Sequence, residues 1–462
     1  MISGMGKNDE LESLRERVRN VTGNIMREVH LRLELAKQIG EIKGRLGIDI
    51  KDERVEQEIK MRVLDLAGEL GMKKDFALRL LNLLLEESEG VQSKKRKLPE
   101  MQTHLGIFMK AKRLEEEGKK IIHMEVGEPD YSPPASVGKA LSDSFLQRQY
   151  HYTETRGIPK LREALSNKVG VAEDQLIVTP GGRFAVFSAI AGLLKGGQEL
   201  VVIEPAWPAY RECADLIGAR TKVLKTTLED KWNPDIRYLE EMISPATKML
   251  VLNYPNNPTG KVLESKSIDK IVSLARDHDL YLLSDEVYAD YAFYKKFDSI
   301  LTYGYDKSVM VSSFSKRYAM TGFRVGYGVA NREVIAKMAK VQAAGITSVA
   351  EPMQQAALEA LGQDHAENVK VMKERLAFVS KKLKEMSLRF VEPEGAMYVY
   401  PEIPSSDDIE LVQKLLLKGV AIAPGSGFGE SYNKFVRVSA CQPTETLAKG
   451  LEIMAAVIRE SR

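Results

Sequence analysis

Apolar residues recur at three- and four-residue steps from about residue 9 to 92, with charged residues between them and no proline before Pro99. Leu11, Leu14, Val18, Val21 and Ile25 keep the 3-4-3-4 spacing of a helix seam, and the pattern continues through LRLELAKQIGEIKGRLG to Gly44 or Gly47. This predicts one helix of roughly 35 residues, about 50 Å long. A helix of that length cannot bury its seam against itself, so it needs neighbours in its own domain or on a partner chain. KDERVEQEIKMRVLDLAGEL and KKDFALRLLNLLLEESEGVQ, separated by a turn around Gly71, predict two further helices. The plainest account of residues 1–95 is an all-α dimerisation module with a solvated outer face.

The pattern changes after SKKRKLPEM (93–101), a basic, proline-marked stretch read as a linker and solvated hinge rather than a nucleic-acid patch. The domains are therefore expected at 1–95 and 96–462. Short β-branched runs follow, QLIVT, ELVVIEP, TKMLVLNYP, LYLLSDEVY and SVMVSSFS, alternating with amphipathic helices. Such alternation predicts an α/β domain with a mostly parallel sheet. From about residue 330 long helices mix with the shorter runs RFVEP, AMYVYPEI and KFVRVSA, the pattern of a smaller α+β lobe.

Composition narrows the function classes. The 462 residues carry a formal net charge of +2, which gives no electrostatic case for nucleic acid or membrane as main partner. Cys213 and Cys441 are the only cysteines, and no histidine stands at metal-ligand spacing from them, which argues against a disulfide framework or a zinc site. MISGMGKNDELESLRERV lacks the apolar core of a signal peptide, and no run of 18 apolar residues follows. A soluble protein of the reducing cytoplasm is expected.

The chemistry concentrates in SSFSKRYAMTGFRVGYG (312–328), where Lys316 sits among hydroxyls and Arg324 follows eight residues later. Ser313, Ser315 and Arg324 can bind an anion beside the lysine, because a guanidinium presents a planar fork suited to phosphate. Other strands end in polar groups of their own: TPGGR (179–183), EPAWPAY (204–210), NYPNNPTG (253–260) and SDEVY (284–288). Ligands of open α/β sheets sit beyond the carboxyl ends of the strands, so these segments should converge on one crevice.

Together they resemble the fold-type-I pyridoxal-phosphate aminotransferases over about residues 100–462. The resemblance implies Lys316 as the Schiff-base lysine, with Ser313, Arg324 and the backbone N–H groups of Gly182 and Arg183 around the cofactor phosphate. Asp285 would pair with the pyridine nitrogen and keep it cationic, Asn257 and Tyr288 would hydrogen-bond the phenolate oxygen, and Trp207 would stack on the ring. Lys316, once displaced by substrate, would carry the proton between the substrate Cα and the cofactor C4′. Arg437, in KFVRVSA, would clamp the substrate α-carboxylate with Asn257 and the backbone of Gly127. Tyr152 would reach the phosphate of a neighbouring subunit, which implies a homodimer or a higher homo-oligomer.

In the helical region Arg32 and Lys43 stand 11 residues apart, three turns or about 16 Å along one face, so both can close on a dianion. Arg15 lies about 25 Å further along the axis and needs an antiparallel partner helix to serve the same ligand. This region resembles the all-α chorismate mutases over residues 8–92. That resemblance implies a site of Arg15 from the partner chain with Arg32, Lys43, Asp52, Glu56, Ser88 and Gln92. Lys43 and Gln92 would bond the ether oxygen, and Asp52 and Glu56 would address the ring hydroxyl. The family's Arg-Glu pair is Val55-Glu56 here, and Arg54 points about 100° away around the helix, which puts one substrate contact in doubt.

The two resemblances imply a bifunctional enzyme of aromatic amino-acid synthesis. It would turn chorismate into prephenate and transaminate prephenate or an aromatic 2-oxo acid, with glutamate or aspartate as donor. The competing expectation is an aspartate- or alanine-type aminotransferase carrying a catalytically degenerate, regulatory helical module. A cofactor-binding transcription factor would need a winged-helix head, and no such pattern precedes residue 95.

Overall fold

The structure, a computed structural model, describes residues 5–46, 53–92, 104–405 and 407–460; in the helical region the side chains of 5–10, 41, 44–46, 53, 54, 56, 86, 87 and 89–92 lie outside that description. The chain forms two compact units, Met1–Glu100 and Met101–Arg462. The expected linker at 93–101 and the boundary at 95/96 fall outside the described residues.

The described residues of the first unit form three helices: α1 (Met5–Leu46), α2 (Glu53–Glu69) and α3 (Lys74–Gln92). At 42 residues α1 is longer than the seam alone predicts, because MGKNDE holds no proline to stop the helix before Leu11 and Gly6 lies in its first turn, where the cost is small. Gly71, at φ 64°, turns the chain between α2 and α3 in the left-handed region that favours glycine. Small residues fill the inside of this unit, with Ala36, Ala67, Ala77 and Leu81 buried. The N-terminal seam has no such cover: Leu11, Leu14, Val18, Val21 and Ile25 are 44–65% exposed.

Among the described residues the second unit carries eleven strands. They are β1 (Ile122–Met124), β2 (Leu176–Thr179), β3 (Glu199–Glu204), β4 (Arg220–Lys225), β5 (Thr247–Asn253), β6 (Tyr281–Asp285), β7 (Ser308–Ser313), β8 (Gly326–Val329), β9 (Tyr398–Val399), β10 (Val420–Pro424) and β11 (Val436–Ser439). Seven of them form one sheet in the order β2-β8-β7-β6-β5-β3-β4. The sheet is parallel except at β8, which runs antiparallel to both β2 and β7. β2 and β3 are buried along their whole length, as strands covered by helices on both faces must be, and this is why Leu176–Val178 and Leu200–Ile203 read as continuous apolar runs. β4 carries charges and β8 glycines, so neither announces itself; their places, at the edge and beside β7, come from tertiary pairing.

The smaller lobe holds the sheet β1-β10-β11-β9. AMYVYPEI and KFVRVSA supply β9 and β11 as expected, but RFVEP is not a strand. Its backbone makes a single sheet-like contact, Glu402 N to Arg389 O at 2.8 Å, and Pro393 has no N–H with which to extend a ladder.

Candidate active site

Strands β2, β3, β5, β6 and β7 deliver their carboxyl ends to one edge of the large sheet, where a cavity of about 270 Å³ opens. Among its lining residues are Gly127, Gly182, Arg183, Trp207, Asn257, Asp285, Tyr288, Ser313, Lys316, Arg324 and Arg437, so these sequence-selected positions share one space. Tyr152 does not line it and is 90% exposed in its own chain.

Lys316 lies in the single helical turn Phe314–Arg317 that follows β7, opened by Ser313, whose hydroxyl accepts from Ser315 N at 3.1 Å. Its Nζ donates to the carbonyl of Gly127 at 2.5 Å. Among the described residues it forms no ion pair with a carboxylate, and burial lowers its pKa, which favours the neutral, nucleophilic amine. Gly127 has to be glycine, because a Cβ there would lie 1.7 Å from the Tyr398 hydroxyl.

Asp285 closes β6. Its carboxylate accepts from Tyr210 OH at 2.7 Å and from Val287 N at 3.4 Å. Burial raises its pKa from 3.8 to about 6, against the pull of those bonds and of Lys316. The Tyr288 and Tyr398 hydroxyls share a bond of 2.7 Å, and burial drives the Tyr288 pKa up. Opposite them Arg437, on β11, is only 2% exposed. It donates to Asn257 Oδ1 at 2.8 Å and to the Glu125 carbonyl, with its guanidinium 4.2 Å from the Tyr398 ring and 4.9 Å from the Phe428 ring. Asn257 is itself fixed, its N–H donating to Asn253 Oδ1 at 3.0 Å.

At the other end of the cavity lies an anion cradle. Gly181, at φ 79°, leads into the helix Gly182–Leu193, whose free N–H groups and positive end face Ser313 and Arg324. A Cβ on Gly326 would stand 2.5 Å from Gly182 N, and one on Gly181 would stand 2.7 Å from Arg324 Nη2. The glycines therefore let backbone and guanidinium draw together. Arg324 adopts φ 55° and donates to Thr321 O at 2.8 Å; burial, and then the charge of Arg183, lower its pKa, so an arriving anion relieves both. Arg183 also lies 4.4 Å over the Trp207 ring.

Sequence reasoning missed Tyr210, Asn253 and Tyr398. The first two stood in strand-end segments already singled out, EPAWPAY and NYPNNPTG. Tyr398 gave no signal, since an aromatic inside a β run reads as core.

In the helical unit Arg32 donates to Leu84 O at 2.6 Å and to the Ser88 hydroxyl, which itself donates to Leu84 O at 2.7 Å. Two of the selected residues on α1 and α3 are thus brought together. Lys43 is half-buried on α1. Arg15 is exposed and paired with Glu12 at 2.5 Å, and Val55 is 41% exposed. Asp52 lies outside the described residues, as do the side chains of Glu56 and Gln92.

Comparison with known proteins fits this geometry. The model of the class I and II aminotransferases matches residues 119–453. The chain belongs to that family. Residues 14–93 match the type II chorismate mutase model, so the aminotransferase carries a chorismate mutase domain ahead of its own fold. It is 36% identical over 353 residues to an aspartate aminotransferase of Thermotoga maritima, covering 74% of this chain and 93% of that one. It is 33% identical over 368 residues to an aspartate/prephenate aminotransferase of Thermus thermophilus, covering 77% and 95%. The crystal structure of a Thermotoga maritima aspartate aminotransferase superposes with a TM-score of 0.74 at 34% identity, over 76% of this chain and 96% of that one. Fold-type-I aminotransferases use pyridoxal phosphate. Among the described residues no helix is long and apolar enough to cross a membrane.

The raised pKa of Asp285 makes a measurable demand on the aminotransferase. Folding raises this pKa, so the folded state holds the proton more tightly than the unfolded chain; that stabilisation is complete below about pH 4 and is lost as the pH rises through about 6. Asp285→Asn cannot ionise. Without cofactor, the variant is expected to be more stable than the parent at pH 8, by on the order of 3 kcal/mol, with the gain shrinking as the pH falls toward 5. Denaturant midpoints at the two pH values check this.

Proposed function

We propose that the chain is a bifunctional enzyme of aromatic amino-acid biosynthesis, a chorismate mutase joined to a pyridoxal-phosphate-dependent aminotransferase acting on prephenate or an aromatic 2-oxo acid. The observation that carries the reading is the fusion itself. A mutase domain in which Arg32 and Ser88 meet precedes an aminotransferase whose relatives include an aspartate/prephenate aminotransferase.

The cavity residues suit pyridoxal phosphate in chemistry and in shape. The glycine-bounded cradle with Ser313 and Arg324 suits its phosphate, since side chains at Gly181 or Gly326 would fill that space. Asp285 suits a pyridinium nitrogen, whose positive charge returns the buried carboxyl to its ionised form. Asn257 and Tyr288 would face the ring oxygen, with Trp207 against the ring. When bound, the cofactor supplies an aldehyde and an electron-withdrawing ring. Lys316 would bond that aldehyde and, when free, would take the proton from the substrate Cα and return it at the cofactor C4′. Arg437, Asn257 and the N–H of Gly127 orient the α-carboxylate, which fixes the Cα–H beside Lys316.

The mutase reaction is a pericyclic rearrangement and needs no nucleophile. Arg32 and Lys43 hold the two carboxylates and place positive charge near the breaking ether bond, with Gln92, Glu56 and Asp52 as further polar contacts. Arg15 would enter from a second copy. The exposed seam from Leu11 to Ile25 and the exposed Tyr152 both support a homo-oligomer. The buried free thiols Cys213 and Cys441 support a reducing, cytoplasmic setting.

Val55 supports a second reading, in which the helical domain binds ligands and dimerises without catalysing. One assay separates them. Cofactor-loaded protein given chorismate with glutamate or aspartate is expected to consume chorismate and form arogenate. Intact chorismate, together with amino transfer from added prephenate, would establish the degenerate domain instead. Oxaloacetate as the sole accepted acceptor would restrict the second domain to aspartate chemistry.

A further inference from the structure

Behind Arg437 stands a group of charges that neither proposed reaction uses. Glu125 follows β1, and its backbone carbonyl receives Arg437 Nη2. Its carboxylate is fully buried, at 0% exposure. One oxygen meets His123 Nδ1 at 2.7 Å, and the other, Oε2, has no hydrogen-bond partner among the described residues. The second nitrogen of His123, Nε2, meets Glu115 Oε1 at 3.1 Å. Arg437 Nε also lacks a partner among the described residues.

Both ring nitrogens of His123 face carboxylate oxygens. A neutral imidazole donates from one nitrogen only, so between two ionised carboxylates both contacts are hydrogen bonds only in the imidazolium form. The surroundings agree. The helix His104–Glu116 presents Glu115, Lys112, paired with Glu115 at 2.8 Å, and the Phe108 ring at 6.0 Å. Glu125 and Glu128 follow β1 in the chain, His123 pairs with Ala421 across β10, and the C-terminal helix meets β1 through Gly450, beside Ile122 and Met124. Bonding to Glu125 is the largest cause of the raised His123 pKa, and its burial opposes the rise.

A buried carboxylate needs a cation. With His123 protonated, Glu125 is neutralised from the side away from the cavity. With His123 neutral, the Glu125 carboxylate loses its hydrogen-bonded cation, and Arg437, bonded to the backbone carbonyl of the same residue, is then a cation whose charge the buried carboxylate offsets, in competition with a ligand. We propose that the His123 imidazolium is a positioning residue for the carboxylate clamp: it neutralises buried Glu125 and so leaves the charge of Arg437 to the substrate. The inference rests on the reading of Arg437 as that clamp.

The test uses full-length, cofactor-loaded His123→Gln, Glu125→Gln and the double variant. His123→Gln is expected to raise KM for amino donor and acceptor alike by about tenfold, with kcat within twofold. The dissociation constant of maleate, an inert dicarboxylate, should rise by the same factor in calorimetric titration. In the parent, KM climbs as the pH passes the His123 titration; in His123→Gln this break disappears. Glu125→Gln in the His123→Gln background should restore maleate affinity, since the competing carboxylate is gone. A double variant no better than His123→Gln, or a loss confined to kcat, overturns the proposal in favour of a packing role. Arg437→Lys separates the two readings. If it leaves maleate affinity unchanged, the clamp assignment itself falls; if it weakens maleate while His123→Gln does not, only the role of His123 falls.

Discussion

Lys316→Ala is expected to abolish amino transfer, lowering kcat/KM by at least about 10⁴-fold, while chorismate consumption stays within twofold of the parent. The size of the loss follows from the two tasks assigned to one amine, bonding the cofactor and moving the proton, which no neighbour can take over. Arg324 and Arg183 face the same cavity as guanidinium donors suited to an anion, and Asp285 faces it with Tyr210 already on its carboxylate. The selectivity follows from separate sites: Lys316 belongs to the second compact unit and Arg32 to the first. Stopped-flow spectra of the half reaction and a chorismate absorbance assay on one preparation read both quantities. Equal loss of the two activities would refute independent sites.

The converse variant carries the second large effect. Arg32→Ala is expected to lower kcat/KM for chorismate by about a hundred- to a thousandfold, with amino transfer unchanged. Its guanidinium already spans α1 and α3 through Leu84 O and the Ser88 hydroxyl, so it is held in place before substrate arrives. Arg32→Lys tests the geometry. It keeps the charge but loses the planar fork, and is expected to recover only a small part of the rate. Circular dichroism should show unchanged helix content in both variants, which separates catalysis from folding.

Much of this protein is legible in its sequence, for reasons that differ between the halves. The long helix could be read because charged and apolar residues alternate at helical steps with no breaker. Buried parallel strands such as β3 could be read because both faces are covered and the four positions between its terminal glutamates are apolar. β4 and β8 could not, since the charges of RTKVLK and the glycines of GYGV hide strands that form only by pairing with β3 and β7. RFVEP misled because apolar content says nothing about whether a partner strand is present. The cavity residues were legible as polar exceptions at strand ends. Tyr398 and His123 were not, because their roles arise from contacts across the lobe: Tyr398 against Tyr288 and Gly127, and His123 between two carboxylates.

The connection between β7 and β8 carries a wider implication. Ser313 pairs with Gly326, so the intervening residues 314–325 form a closed arch with Lys316 near one foot and Arg324 near the other. An inserted or deleted residue in that arch would displace Lys316 and Arg324, the proposed covalent anchor and phosphate grip, relative to each other. Natural variation or laboratory recombination can therefore exchange the arch only as one cassette, while amino-acceptor preference is free to drift through walls of the cavity that lie outside it.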